Sequence, residues 1–81
     1  MRIAVFFYSY FKELTGCDRT EADLPPGSTI RDLLAALFLR FPKLAALENS
    51  MLVAIGVEYA GRSERLKEGD EVSLFPPVQG G

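Results

Sequence analysis

The sequence contains no histidine, one cysteine, and no apolar run near the ~20 residues a membrane-spanning helix requires. Without histidine the chain lacks the commonest general base and the commonest metal ligand. A single thiol, Cys17, forms no internal disulfide, which points to a reducing compartment. No activating neighbour lies near it in sequence, so it reads as a small, partly buried hydrophobe. Aspartate and glutamate are scattered without metal-ligand spacing, and no glycine-rich phosphate loop is present. The net charge of −2 is small and argues against the clustered basic face of a nucleic-acid binder. The opening "MRIAVFFYSYF" has one arginine and a short apolar run, then meets Lys12 and Glu13 with no small-residue cleavage site. It therefore reads as a mature N-terminal strand rather than a signal peptide, and a soluble, cytoplasmic protein is expected.

What is present fits one globular domain. The chain has 81 residues, 48% apolar and 25% charged. A chain of this length buries roughly 60–65% of its unfolded surface, so the core is modest. Six phenylalanines and three tyrosines help to build it, because each aromatic side chain buries a large area.

Residues Arg2 to Tyr8 are rich in Ile, Val and Phe and are expected to form a strand buried on both faces. Tyr10, Phe11 and Leu14 are helix-spaced, and Gly16 is placed to stop that short helix. The polar stretch Asp18 to Leu24 fits an edge strand, where charges discourage pairing with other chains. A "PPG" turn follows. Thr29 and Asp32 then make a capping-box pattern at the start of the clearest element. Ile30, Leu33, Leu34, Leu37, Phe38 and Phe41 form one helical apolar face, and Pro42 ends the helix. Each large side chain buried there contributes ~1.5–3 kcal/mol before entropy. Leu39 lies off that face and reads as ordinary surface. "KLAALENS" predicts one further turn. "MLVAIG" predicts a strand, "VEYAGR" its return after a bend, and "EVSLF" the last strand, after a turn at Gly69 and Asp70.

One long helix with one apolar face, among more numerous strands, predicts an α+β domain: a mixed sheet with the helix packed across one face. The first and last strands are the most apolar and are expected at the sheet centre. Phe75 would then end a central strand.

The chain finishes "LFPPVQGG". Pro76 and Pro77 lack N–H groups, so the ladder cannot continue through them, and consecutive prolines favour a stiff, extended path. Val78, Gln79, Gly80 and Gly81 beyond them reach at most ~13–14 Å, enough to enter a cleft in another protein. Glycine at the tip fits a narrow channel and leaves the terminal carboxylate unshielded. With a reference pKa of about 3.3–3.7, that carboxylate is ionised at neutral pH. It can attack the α-phosphate of a nucleotide to give an acyl-adenylate, which a sulfur donor, thiol or amine then intercepts. Partners can supply all the catalytic groups, so the missing histidine does not oppose this reading. The competing reading is a frayed end, since termini are often disordered and glycine is common there. Residues 1–77 are thus expected to form the domain and 78–81 a flexible tail.

The whole chain resembles the MoaD family, the small sulfur-carrier subunits of molybdopterin synthase. The specific match is "GDEVSLFPPVQGG", which is similar to the family's "GDEVAFFPPVSGG"; "VFFYSYFKELTG" is a looser match to its opening motif. The resemblance implies a β-grasp, ubiquitin-like fold. It also implies that a MoeB-like activating enzyme consumes ATP to adenylate Gly81, that a sulfur-donor enzyme converts it to a thiocarboxylate, and that the tail enters a MoaE-like large subunit. Sulfur then passes to precursor Z, two carriers in succession supplying the dithiolene sulfurs, within a heterotetramer of two small and two large subunits. No cofactor is held permanently by the small subunit.

Three departures stand out. Gly56 replaces a frequent asparagine, and both tolerate left-handed backbone. Lys12 replaces an arginine of the opening motif, which keeps the charge and loses the bidentate fork. Gln79 replaces a usual serine or threonine. Docking residues are expected near the tail: Phe75 first, with Pro76 and Pro77, then Tyr59, Lys12 and Phe7, the last of which also reads as core. Other functions stay open on the residues alone. They are sulfur carriage for thiamine or for tRNA thiolation, a ubiquitin-like protein modifier, and a passive β-grasp binding module.

Overall fold

Residues 1–77 are described by the computed structural model of the protein, and the expected tail, Val78 to Gly81, lies outside the described residues. The first strand, β1 (Arg2–Phe7), alternates strictly: Ile3, Val5 and Phe7 are buried, while Ala4 and Phe6 on the other side are only half-buried. The expectation of burial on both faces is therefore corrected. A continuous apolar run arises here because the outer face also carries apolar residues, not because a second layer covers it. The short helix α1 (Phe11–Thr15) follows and ends at Gly16, whose φ of 77° is the left-handed cap geometry that glycine adopts without strain.

Strand β2 (Arg19–Asp23) runs antiparallel to β1 and sits on the sheet edge, where its charges suit an unpaired ladder. Helix α2 (Ile30–Arg40) then crosses the inner face of the sheet. Its capping box forms: the Thr29 hydroxyl accepts from the Asp32 N–H (3.3 Å), and the Asp32 carboxylate accepts from the Thr29 N–H (2.9 Å). Two more first-turn N–H groups, of Ile30 and Arg31, donate to the Glu64 and Arg62 carbonyls of the loop before the last strand (3.0 and 2.9 Å). Donors that a helix start leaves orphaned are thus satisfied by a segment more than thirty positions downstream. Ile30, Leu33, Leu34 and Leu37 are buried, and Leu39 is exposed. Pro42 does not merely stop α2; it opens a further single turn, α3 (Pro42–Ala45), as its preset φ allows.

After a 3₁₀ turn at Glu48–Ser50 come β3 (Leu52–Ile55), β4 (Glu58–Tyr59) and β5 (Glu71–Phe75). The sheet order is β2-β1-β5-β3-β4, with β5 parallel to β1 and antiparallel to β3. First and last strands are neighbours at the sheet's middle, as their apolar content predicts. One core cluster joins Ile3, Val5, Phe7, Val53, Val72 and Leu74 of the sheet with the buried face of α2. Among the described residues no buried side-chain nitrogen or oxygen lacks a partner, and no helix is long and apolar enough to cross a membrane.

The capping box anchors the only long helix described here, so Thr29→Ala should cost about 1 kcal/mol. For a domain of this size that lowers the melting temperature by about 4–8 °C. Thermal unfolding followed by circular dichroism measures it, and an unchanged transition would mean that the cap carries no stability.

Candidate functional site

The site is built by strand alternation at one end of the sheet. In β5, Val72 and Leu74 point into the core, so Phe75 stands on the opposite, outer face at the strand's last position. Parallel pairing places Phe7 beside Leu74, and the Tyr8 N–H donates to the Leu74 carbonyl (3.1 Å), carrying the ladder one residue past β1. Tyr8 therefore lies on the same face as Phe75. Antiparallel pairing of β3 with β4 sets Tyr59 opposite Ala54, which puts it on that face too. The rings converge. Tyr8 meets Phe75 edge-on at 6.3 Å between centroids, and Tyr59 meets it tilted at 5.8 Å. Such pairs contribute beyond their buried area.

Together these residues line an open groove of about 500 Å³ whose floor is the small side chains of Ala54 and Ser73. Its far wall is the β3–β4 turn, Gly56 and Val57. Gly56 has a φ of 61°, at the first position of a two-residue hairpin loop, where a left-handed residue matches the twist of the strands. The turn projects Val57 into solvent at 99% exposure. Tyr59 is 71% and Tyr8 46% exposed. A contiguous apolar surface of this kind on a small domain marks a place where another molecule binds.

The expected docking residues are distributed as follows. Phe75 and Tyr59 come together in the groove, and Pro76 and Pro77, half-buried, follow β5 immediately. Lys12 is exposed on α1 at the same end of the sheet. It lines a separate recess of about 220 Å³ with Phe6, Phe7, Tyr8, Asp18 and Arg19, so Tyr8 forms the wall between the two depressions. Phe7 is the correction. At 1% exposure it is core, edge-on to Phe41 at 5.6 Å, and offers a partner almost no surface even though it borders that recess. Sequence reasoning missed Tyr8 and Val57. Period-two alternation carries the signal for Tyr8: Phe7 and Tyr8 occupy opposite faces, and only one of them can share a face with Phe75. The expected catalytic position, Gly81, with Gly80, Gln79 and Val78, lies outside the described residues.

The outer face is charged on its other side. Arg2 bridges to Asp23 (3.2 Å) and Glu21 (3.5 Å), and Arg19 bridges to Glu21 (3.6 Å) and stacks over Phe6 at 5.4 Å. The hydrogen bond to Asp23, with the charges of Asp23 and Glu21, raises the Arg2 pKa above its ordinary value. These groups are exposed, so the pairs add little stability; their effect is to satisfy the row of charges internally.

A profile of the ThiS family matches residues 5–81. The chain belongs to the ThiS family. Among relatives of similar length, the molybdopterin synthase sulfur carrier subunit of Escherichia coli is 38% identical, covering 98% of this chain and 99% of its own. The Arabidopsis thaliana protein of the same description is 32% identical, covering 100% of this chain and 84% of its own. Among solved structures, a Pyrococcus furiosus protein assigned as a molybdopterin converting factor, subunit 1, superposes with a TM-score of 0.89 at 30% identity, over 96% of this chain and 99% of its own. Small archaeal modifier protein 1 of Haloferax volcanii superposes with a TM-score of 0.83 at 27% identity, over 95% and 98%. The mixed five-stranded sheet with its packed helix is thus the β-grasp fold of this family.

Core and surface roles of the two adjacent aromatics separate by stability. Phe7→Ala should cost about 3–5 kcal/mol in denaturant unfolding, as for other buried phenylalanines. Tyr8→Ala should cost about 1 kcal/mol or less. Equal losses would contradict the assignment of Tyr8 to the surface.

Proposed function

We propose that the protein is a sulfur carrier for molybdopterin synthesis, acting through the carboxylate of Gly81. The carrying observation is the place of Phe75. It ends the innermost strand, on a groove of exposed aromatic side chains, and two prolines lead the chain away from it. A partner seated on the groove would receive residues 78–81 at a set distance and direction. The near full-length match to relatives described as sulfur carrier subunits supports the same reading.

In this mechanism an activating enzyme binds ATP, and an oxygen of the Gly81 carboxylate attacks the α-phosphorus, expelling pyrophosphate. A persulfide sulfur of the donor enzyme then attacks the acyl carbon and AMP leaves; a thiol reduces the resulting acyl disulfide, itself forming a disulfide with the donor, and the thiocarboxylate is set free. The large subunit of the synthase takes up the charged tail; the thiocarboxylate sulfur bonds to precursor Z, and water cleaves the resulting thioester, leaving the sulfur on the acceptor and returning Gly81 to a carboxylate. The domain contributes the binding surface and the aim. Tyr8, Tyr59, Val57 and Phe75 bury apolar area against each partner in turn, and Lys12 at the neighbouring recess offers a positive charge at the rim. A heterotetramer of two small and two large subunits is the expected assembly.

A second reading is favoured by one likeness, that to small archaeal modifier protein 1. The acyl-adenylate could pass to lysine amines and give isopeptide conjugates. Denaturing gels of cell extracts separate the two, because a modifier yields a ladder of conjugates that a dedicated carrier lacks.

Two experiments test the proposal. With ATP, an activating enzyme and a sulfur donor, intact mass should register exchange of one oxygen for sulfur at the terminus. A chain lacking Gly81 should show no exchange and an unchanged melting temperature; exchange without Gly81 would sink the mechanism. Separately, Phe75→Ser and Tyr8→Ser should each weaken binding to the large subunit roughly tenfold or more, as central interface aromatics do. Leu39→Ser, on the opposite side of the domain, should leave affinity unchanged.

A further inference from the structure

The sheet has two edges, and they differ. The β4 edge is two residues long, too short to template another strand. The β2 edge offers five residues, and its bonding to β1 shows which backbone groups are spare. The Leu24 N–H donates to the Met1 carbonyl, and the Phe7 N–H donates to the Asp18 carbonyl. By the alternation of an antiparallel ladder, residues 18, 20, 22 and 24 turn their backbone groups toward β1, and Arg19, Glu21 and Asp23 turn theirs outward.

One of those outward groups is occupied from within the chain. Arg40, the last residue of α2, donates from Nη1 to the Glu21 carbonyl (2.9 Å) and from Nη2 to the Thr20 hydroxyl (2.6 Å). Its guanidinium also stacks over Phe41 at 5.1 Å. Three contacts thus hold one exposed arginine across the middle of an otherwise open edge.

The pattern of charges shows what that edge would accept. Two copies of β2 pairing antiparallel about Glu21 set Arg19 of each copy opposite Asp23 of the other, so that unlike charges meet at both ends of the pairing. At the centre the two Glu21 side chains meet, but each already has Arg2 at 3.5 Å and Arg19 at 3.6 Å to neutralise it. The central backbone pair needs the Glu21 carbonyl, the group that Arg40 covers.

We infer that the free edge of β2 is a self-association surface for a second copy of this chain, and that Arg40 keeps it closed. Releasing Arg40 from Glu21 in both copies lets the two five-stranded sheets join edge to edge through the Glu21 N–H and carbonyl groups. The inference rests on the β2 edge alone and stands whether or not the sulfur-carrier reading is correct.

Sedimentation equilibrium of the full-length chain across a wide concentration range tests it. Arg40→Met keeps the aliphatic stem over Phe41 and removes both donors. It should tighten dimerisation roughly ten- to hundredfold relative to the parent chain, since two hydrogen bonds no longer have to be broken. Arg40→Ala should tighten it in the same direction, which guards against an effect of the methionine itself. Adding Glu21→Pro should return either variant to the parent's behaviour, because proline removes an outward N–H while sparing every bond to β1. Unchanged association in both Arg40 variants overturns the inference. So does a dimer that survives Glu21→Pro, or a variant that captures extended peptides yet stays monomeric.

Discussion

Strand β5 is bonded on both flanks, parallel to β1 and antiparallel to β3, and Pro76 and Pro77 follow it directly. A strand paired on both sides opens only when the domain does, so its end is the steadiest point from which a chain can leave. Val72 and Leu74 lock one side of it into the core. The same ladder, continued by the Tyr8 N–H, brings a tyrosine against Phe75. Stability and aim are thus one property here. The hydrogen bonds that hold the sheet together also set the direction in which Pro76 and Pro77 depart, and any slip of β5 by one residue would turn Phe75 inward and dissolve the groove.

Much of this arrangement is legible in the amino-acid sequence, and the reasons differ by element. Helix α2 shows plainly because its apolar spacing, its capping box and Pro42 all agree. The central place of the first and last strands follows from their apolar content. The faces of β1 are harder. "RIAVFFY" is apolar almost throughout, so alternation is masked and both faces look buried. Resolving Phe7 from Tyr8 needs the register with Leu74, which is a fact of pairing between residues 67 positions apart in order and is absent from either segment alone. Val57 is hidden for another reason: a β-branched residue fits a strand, and only the Gly56 turn throws it into solvent. Contacts between distant polar groups, such as Arg40 with Glu21 or Ile30 with Glu64, leave no local trace at all.

The outer face of the sheet is divided by chemistry. Toward β3 and β4 it is aromatic and open; toward β2 it is a row of arginines and acids that satisfy one another. Exposed apolar surface is a hazard for a small domain unless something binds it. Placing the charged row beside it limits the patch to one half of the face, so a partner that covers the groove need not desolvate the ion pairs. Arg2 and Arg19 are already engaged with acids on the same sheet, and a partner gains little by competing for them.

An edge strand and an apolar patch pose different association problems, and the domain answers each locally. The patch must stay available, so its floor is kept small at Ala54 and Ser73 and its walls are aromatic. The edge must stay closed, so the end of α2 is brought back over β2 by a single guanidinium. The edge is at the β2 end of the strand order, and the groove lies on the outer face over β5, β3 and β4. Pairing through β2 would therefore extend the sheet while leaving the groove of both copies uncovered. A carrier that had lost its edge guard could still present Phe75 to a partner, but it would do so as a doubled sheet. The steric fit of that doubled sheet against the partner, rather than the chemistry of the tail, would then limit its function.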